Sequence, residues 1–295
     1  GTDTGGSVRI PAALCGVVGM RPTRGRVSNR GTVPVSPSLD TVGPLARRAV
    51  DAAHLLAAMD GYDDADTTSA RGPSDDIVAA LGQGLEGLRI GLPRSAFFDG
   101  LHPEVEEALH RAVEVLAAAG AIVTDVVVEH ADEMPRMTQF IRNPDALVVH
   151  EERLRDAPEL FGEYVRNRLV SGTAMTGADV ARARAWQAAW VRQFERILAD
   201  ADLLMTPMMA HPALRTDDPE LATRMSGMTG PANAWVLAGL PCASVPCGIV
   251  EGLPVAMQLV GPAWRDGRVL GAAHAYQQVT DWHLQRPPIT EGSAA

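Results

Sequence analysis

The 295-residue sequence contains no lysine, and all 26 of its basic residues are arginine. A guanidinium group stays protonated in proteins, so arginine cannot replace the tunable ammonium group that some enzymes use as a general base. The 36 acidic residues give a formal net charge of −10, and the basic residues form no tract. Because phosphate binding requires clustered cations, we expect no nucleic-acid partner.

The sequence also lacks an apolar run of about 18 residues, the length that a membrane-spanning helix needs. Its longest apolar stretch, Val236 to Val250, is interrupted by two glycines and two prolines. The N-terminal residues show no signal-peptide pattern. We therefore expect no membrane partner and a cytoplasmic location.

Cysteine is scarce, with Cys15, Cys242 and Cys247 as its three positions. An odd count in a chain of this size argues against a disulfide framework, and the last two cysteines do not have CxxC spacing. No histidine joins them at a zinc-site spacing, and His150 lacks the second histidine of an HExxH helix. We expect no metal and no cofactor.

The apolar residues that are present alternate between strand-like and helix-like patterns. Leu88–Leu92 is a short apolar run, a helix begins at Pro103 and ends before Gly120, and Ala121–Val128 is rich in β-branched residues. A strand, a helix and a strand in that order predict a βαβ unit with parallel pairing. The other predicted elements are a helix in Pro44–Met59, helices across 140–200 with Thr176 as a cap, a strand at Asp202–Thr206, a strand pair at Ala243–Val250 and Val255–Val260, and a helix at Gly267–Val279.

These elements predict an α/β fold with a mixed, mostly parallel sheet flanked by helices. The length is compatible with one large domain, and we expect a single domain over residues 1–295.

The first eleven residues, GTDTGGSVRIP, place two glycines directly before Ser7. Glycine allows backbone conformations closed to other residues, so this turn can direct several N–H groups at one point, as an oxyanion hole requires. Asp3 and Arg9 flank the turn with opposite charges and could support it as a hydrogen-bonded pair. From the spacing alone, a purely structural turn or a helix cap by Ser7 fits equally well. A Walker loop is excluded because it requires lysine.

This segment resembles the end of the amidase signature, the Gly-rich serine segment of the amidase signature family. The resemblance covers nearly the whole chain, because further family-like segments follow in the expected order. They are residues 15–23 (CGVVGMRPT), 25–28 (GRVS), 38–44 (SLDTVGP), 231–233 (PAN), 239–241 (GLP) and 253–261 (LPVAMQLVG).

The resemblance implies a serine amidohydrolase that cleaves a carboxamide through an acyl-enzyme. It assigns the nucleophile to Ser7 and the oxyanion donors to the backbone amides of the turn, at Thr4, Gly5, Gly6 and Ser7. The family also uses a lysine and a second serine from a Gly-Ser-Ser-Gly segment to accept the proton of the nucleophile. This sequence has neither. We therefore expect the C-terminal portion of a longer amidase, inactive or strongly impaired on its own.

Three alternatives remain open. The protein could resemble the A subunit of an amidotransferase, although residues 132–178 do not show the glutamine-handling segment expected of that branch. It could be a non-catalytic amidase remnant, since the lysine is missing. Within the chain, His211 after the strand at Asp202–Thr206 is the only base we would pair with Ser7. The expected ligand is a small amide of unspecified structure, and homo-oligomerisation is left open.

Overall fold

The computed structural model describes residues 1–218, 221 and 230–287. Their strands form one small and one large sheet. The strands are β1 (Thr2–Asp3), β2 (Val18–Arg21), β3 (Thr41–Val42), β4 (Leu45–Ala46), β5 (Arg89–Leu92), β6 (Ile122–Asp125), β7 (Leu203–Pro207), β8 (Cys242–Val250) and β9 (Leu253–Val260).

Helices connect and flank these strands. They are α1 (Arg9–Leu14), α2 (Ala49–Met59), α3 (Arg94–Phe97), α4 (Pro103–Ala118), α5 (Met134–Asp156), α6 (Glu163–Val170), α7 (Gly177–Asp200), α8 (Gly230–Ala238) and α9 (Asp266–Gln278). None of the helices in the described ranges is long and apolar enough to cross a membrane.

The large sheet has the strand order β4-β2-β8-β9-β7-β5-β6, and β1 pairs with β3 beside it. Its centre is the hairpin of β8 and β9. The hairpin turns at Glu251 and Gly252, whose φ angles are +51° and +79°. Positive φ at both central residues is the requirement of the tight turn whose twist matches that of the paired strands. This hairpin confirms the strand pair predicted from the sequence.

The predicted βαβ unit is also present, because β5 pairs in parallel with β6 across α4, and β7 joins the other edge of β5 in parallel. Helix α4 begins at Pro103 and buries Val105, Leu109 and Leu116 on one face. The chain leaves it at Gly120, whose φ is +96°. The α/β class and the mixed sheet are as expected.

The expectation of a mostly parallel sheet was wrong. Four of the six strand pairings in the large sheet are antiparallel, β4–β2, β2–β8, β8–β9 and β9–β7. A two-residue hairpin can join only antiparallel strands, so β8 and β9 impose that direction on the centre. The helix expected in Pro44–Met59 begins at Ala49, because Leu45 and Ala46 pair with β2 instead.

Helix α7 is the long helix expected after Thr176. The Thr176 side chain accepts a bond from the Asp179 amide, and Asp179 accepts one from the Thr176 amide, which together form a capping box. Trp190 and Phe194 on this helix are buried and pack against α8 and each other. One large apolar cluster extends from Val18 to Tyr276. A single domain over 1–295 stays a prediction, since residues 219–220, 222–229 and 288–295 lie outside the described ranges.

Candidate functional site

The Gly-rich segment forms a tight turn between β1 and α1. Gly6 has a φ of +122°, which disfavours residues with a side chain. A Cβ atom on Gly6 would lie 2.5 Å from Cδ1 of Ile10 and 3.0 Å from Cβ of Ala232, so the close packing of α1 and α8 also requires glycine. Ser7 follows on the outside of the turn with its side chain exposed.

A buried carboxylate lies inside the turn. Asp3 accepts a hydrogen bond from the Gly6 amide at 2.7 Å and from Nε of Arg9 at 2.9 Å, and Nη1 of Arg21 lies 3.3 Å from it. The side chains of Asp3, Arg9 and Arg21 are all shielded from solvent. Burial alone would raise the pKa of Asp3, but Arg9 and Arg21 outweigh that effect and hold its pKa well below its usual range. Asp3 is therefore ionised over the neutral range.

The two arginines connect this carboxylate to the rest of the fold. Arg9 Nη1 donates to the Ala232 carbonyl of α8 at 2.8 Å and to the side-chain oxygen of Gln258 on β9. Gln258 in turn donates to the Thr206 hydroxyl on β7 at 3.1 Å. The position of the turn is thus fixed relative to the central strands.

Arg21 extends the same network towards β3. Its guanidinium donates to the Asp3 and Leu39 carbonyls and to the Thr41 hydroxyl, the last at 3.0 Å. The Thr4 hydroxyl donates to Asp40, the residue that precedes β3. Both sides of the turn are therefore held by buried hydrogen bonds.

All four amides of the turn were expected to be oxyanion donors, and the structure differs from this expectation at Gly6. The Gly6 N–H donates to Asp3 and so has an internal partner. The amides of Thr4, Gly5 and Ser7 donate to no acceptor among the described residues, and neither does the Ser7 hydroxyl. The candidate donors for an oxyanion are accordingly Thr4, Gly5 and Ser7, whereas Gly6 shapes the turn.

Two other helices border the turn at Gly5. A Cβ atom on that residue would lie 2.9 Å from Oδ1 of Asn233 on α8 and 3.7 Å from Nη1 of Arg142 on α5. A side chain at Gly5 would displace these groups. Because Gly5 has no side chain, both polar groups can approach the backbone beside Ser7.

His211 lies after the end of β7, as expected, in a cavity of about 560 Å³ that Met134 and Pro231 also line. Its nearest ring neighbour is His102, with ring centroids 5.9 Å apart. No hydrogen bond joins His211 to Ser7. The structure therefore brings Asp3, Arg9 and the serine turn together, but it does not connect His211 to them.

Sequence reasoning assigned no role at the turn to Arg21, Gln258 or Arg142. Arg21 and Gln258 lie within segments that resemble the family, so their position in those segments was the available signal. Arg142 lies in no such segment. Its approach to Gly5 depends on how α5 packs, and no sequence signal predicts it.

Residues 1–270 match the sequence model of a protein family, and the description of that family is Amidase. This chain is a member of the Amidase family. The match confirms the resemblance of its Gly-rich segment to the amidase signature, and it covers the turn, both of its arginines and the central hairpin.

Relatives and solved structures agree with the family. The A subunit of glutamyl-tRNA(Gln) amidotransferase from Pseudomonas aeruginosa is 39% identical in an alignment 315 positions long, gaps included. The alignment covers 97% of this chain and 64% of that protein. The structure of the corresponding protein from Thermotoga maritima matches 94% of this chain and 61% of its own, with a TM-score of 0.80 and 30% identity. Native peptide amidase from Stenotrophomonas maltophilia matches 99% and 63%, with a TM-score of 0.77 and 29% identity. This chain thus spans about 64% of the length of the curated relatives it matches.

Replacing Asp3 with Asn should destabilise the protein strongly. It would leave Arg9 and Arg21 buried without a counter-charge, and breaking a buried pair in this way costs about 3–5 kcal/mol. Urea unfolding followed by circular dichroism measures the loss. The control is Asp217→Asn, which removes an exposed pair with Arg215 and should leave stability unchanged.

The same variant should show a pH-dependent difference from the parent protein. Because folding lowers the pKa of Asp3, its contribution is present above its unfolded pKa of about 3.9 and is lost as the pH falls below that value. The difference in unfolding free energy between the two proteins should therefore be constant from pH 7 to 5 and shrink below pH 4. A difference that grows on acidification would contradict the assignment.

Gly6→Ala should lower the free energy of unfolding more than a glycine replacement that introduces backbone strain without a steric clash. The matched control is Gly31→Ala, because Gly31 has a φ of +88° but no atom within 4 Å of the added Cβ. The control should cost about 1–2 kcal/mol for its φ. Gly6→Ala should cost about 1–3 kcal/mol more because of overpacking. Equal unfolding free energies for the two variants would show that the contacts with Ile10 and Ala232 do not constrain the turn.

Proposed function

We propose that this protein is a serine-dependent amidohydrolase and that Ser7 is its nucleophile. One arrangement carries the proposal: an exposed hydroxyl follows a rigid turn in which three neighbouring amides have no acceptor among the described residues. Donors held in advance around a developing negative charge stabilise a tetrahedral intermediate without reorganisation. Family membership supports the choice of a carboxamide as substrate.

In the proposed reaction, Ser7 Oγ attacks the carbonyl carbon and its proton passes to a base. The carbonyl oxygen becomes negative and accepts hydrogen bonds from the amides of Thr4, Gly5 and Ser7. When the intermediate collapses, the C–N bond breaks and the amine leaves with a proton. Water then attacks the acyl-serine ester in the same site, which releases the carboxylic acid and regenerates the hydroxyl.

The identity of the base is a separate part of the proposal. The 295 residues contain no lysine, and Ser7 has no histidine, aspartate or glutamate as a hydrogen-bond partner among the described residues. The resemblance implies a lysine that acts through a second serine. We therefore propose that the proton acceptor lies outside these 295 residues, and that His211 does not replace it.

Ser7→Ala should abolish amide hydrolysis in the protein expressed from its complete reading frame, because the proposed acyl-enzyme forms on Ser7 Oγ and the other hydroxyl of the turn, that of Thr4, donates to Asp40. Release of ammonia or aniline from simple aliphatic and aromatic amides measures this activity. Ser74→Ala replaces an exposed serine outside the turn and should leave the rate unchanged. Undiminished activity of Ser7→Ala would remove the nucleophile assignment.

The 295 residues alone should hydrolyse the same amides at least about 10²- to 10⁴-fold more slowly than the product of the complete reading frame, which is the range general-base catalysis contributes. Initial rates at equal concentrations of folded protein measure the ratio. Addition of His211→Ala tests the alternative base. If the two proteins hydrolyse the amides at comparable rates, and His211→Ala abolishes the activity of the 295 residues, the base lies within this chain.

A second candidate function is that of a component of an amidotransferase, which the relatives at 39% identity favour. Those relatives bear the name of the A subunit of glutamyl-tRNA(Gln) amidotransferase. Dependence of activity on an aminoacyl-tRNA and on a second protein chain discriminates between the two functions. Full turnover of a simple amide by this protein alone supports the amidohydrolase.

We also propose a cytoplasmic location and a single domain over residues 1–295. The location is supported by three cysteines that are all free, two of them buried. The substrate partner is a small amide, and a homo-oligomer is compatible with the proposal.

A further inference from the structure

Arg142 lies beside the Gly-rich turn that carries Ser7, although it belongs to a distant part of the chain. It is on α5, half-buried, with Nη1 3.7 Å from the position that a Cβ atom on Gly5 would occupy. Consecutive Cα atoms are about 3.8 Å apart, so the Cα of Ser7 is at most about 7.6 Å from that of Gly5. The guanidinium is therefore within the reach of a small molecule whose carbonyl carbon contacts Ser7.

This guanidinium has no counter-charge within the described part of the chain. Its hydrogen bond among the described residues is a long one of 3.4 Å from Nε to the side-chain oxygen of Asn143, and no carboxylate in that part of the chain forms an ion pair with it. Asp145, the nearest acidic residue in sequence, accepts bonds from Ser36 and Ser38 at 2.6 Å each. In contrast, Arg9 beside the same turn is fully paired with Asp3.

The surroundings make this position more electropositive. Burial and the nearby Arg168 of α6 lower the pKa of Arg142 to about 10. The group therefore remains protonated at neutral pH. Removing a charge from water is costly unless a partner compensates. A cation placed at a reactive turn without such a partner is thus suited to an anionic ligand.

Close packing fixes the backbone of α5 next to Arg142. The residue next to it, Asn143, donates from its side chain to Ser171 Oγ at 3.1 Å. A Cβ atom on Gly172 would lie only 2.5 Å from the Asn143 carbonyl oxygen, so the turn after α6 rests directly on α5. A guanidinium on a fixed stretch of helix can present its planar donors in one orientation, which is what bidentate recognition of a carboxylate requires.

We propose that Arg142 is a specificity-determining residue that binds a carboxylate of the amide substrate, within a few ångströms of the amide to be cleaved. This inference rests on the proposed function and narrows its substrate class to carboxylate-bearing amides. The carboxylate can belong either to the acyl part or to the amine part of the substrate. Arg142 contacts the substrate in this role but takes no part in bond making.

The test compares charged amides with neutral amides of the same shape, using the protein from its complete reading frame. For the acyl part, succinamate is compared with 4-methylpentanamide, in which an isopropyl group replaces the carboxylate. For the amine part, N-acetylglycine is compared with N-isobutylacetamide. The parent protein should prefer the charged member of one pair by about 10- to 100-fold in kcat/KM, the range expected of a charge-assisted hydrogen bond.

Arg142→Gln should remove that preference. KM for the charged amide should rise about 10- to 100-fold with little change in kcat, because the contact is made equally in the ground state and the transition state. The rate on the neutral amide should stay the same. Arg142→Lys should restore part of the preference, since it keeps the charge but loses the bidentate geometry. The control is Arg153→Gln, which replaces an exposed arginine of the same helix and should change nothing.

Three outcomes would overturn the inference. The parent protein could show no preference in either pair. Arg142→Gln could lower the rates on charged and neutral amides equally, which would indicate a role at the oxyanion or in folding. Arg153→Gln could have the same effect as Arg142→Gln, which would indicate a general effect of net charge.

A binding measurement separates this inference from the proposed function. In the Ser7→Ala variant, succinate and acetylglycine should each be titrated by calorimetry, and binding of one of them should weaken about 10- to 100-fold on the further change Arg142→Gln. This readout requires no catalysis. If binding depends on Arg142 but Ser7→Ala keeps full activity, only the assignment of the nucleophile is contradicted. If Ser7→Ala loses its activity but binding does not depend on Arg142, only the carboxylate site is contradicted.

Discussion

The buried carboxylate of Asp3 is the interaction on which the serine turn depends. It accepts hydrogen bonds from the Gly6 amide and the guanidinium of Arg9, and Arg21 lies on its other side. Neither the carboxylate nor the two cations could be buried alone, because each would be uncompensated in a region that water does not reach. The three groups therefore specify one arrangement of the turn, and the hydrogen bonds of Arg9 to α8 and β9 fix it relative to the sheet.

This arrangement has a direct consequence for chemistry. By accepting the Gly6 N–H, Asp3 fixes the peptide plane that joins Gly5 and Gly6. The amides of Thr4, Gly5 and Ser7 have no acceptors among the described residues. Electrostatic catalysis depends on donors that are already oriented before the charge develops. The network that stabilises the fold locally is thus the same network that prepares the proposed oxyanion site. The cation of Arg142 reaches this site from a helix that the network does not include.

Much of the fold could be predicted from the sequence because its signals are local. The start of α4 at Pro103, its end before Gly120 and the Thr176 cap of α7 each depend on a few neighbouring residues. The balance of parallel and antiparallel pairing could not be predicted in this way. The partners of β2 and β7 are β8 and β9, far away in sequence, and no local pattern selects them.

The same difference between local and long-range signals applies to the site. Two glycines before Ser7, flanked by Asp3 and Arg9, were sufficient to locate the turn. The direction of the Gly6 amide could not be predicted, because it depends on a φ of +122° that the fold imposes. Arg142 also escaped prediction, since its place beside Gly5 arises from contact between segments far apart in the sequence.

The most direct measurement of the central claim is a crystal structure of the protein, expressed from its complete reading frame, with a boronic acid bound. A boronic acid forms a tetrahedral adduct with a nucleophilic serine and so imitates the intermediate of amide hydrolysis. The account predicts a bond from boron to Ser7 Oγ and a boronate oxygen within about 2.7–3.1 Å of the amides of Thr4, Gly5 or Ser7. Boron bound to another residue, or an adduct at Ser7 whose oxygens all face away from these amides, would contradict it.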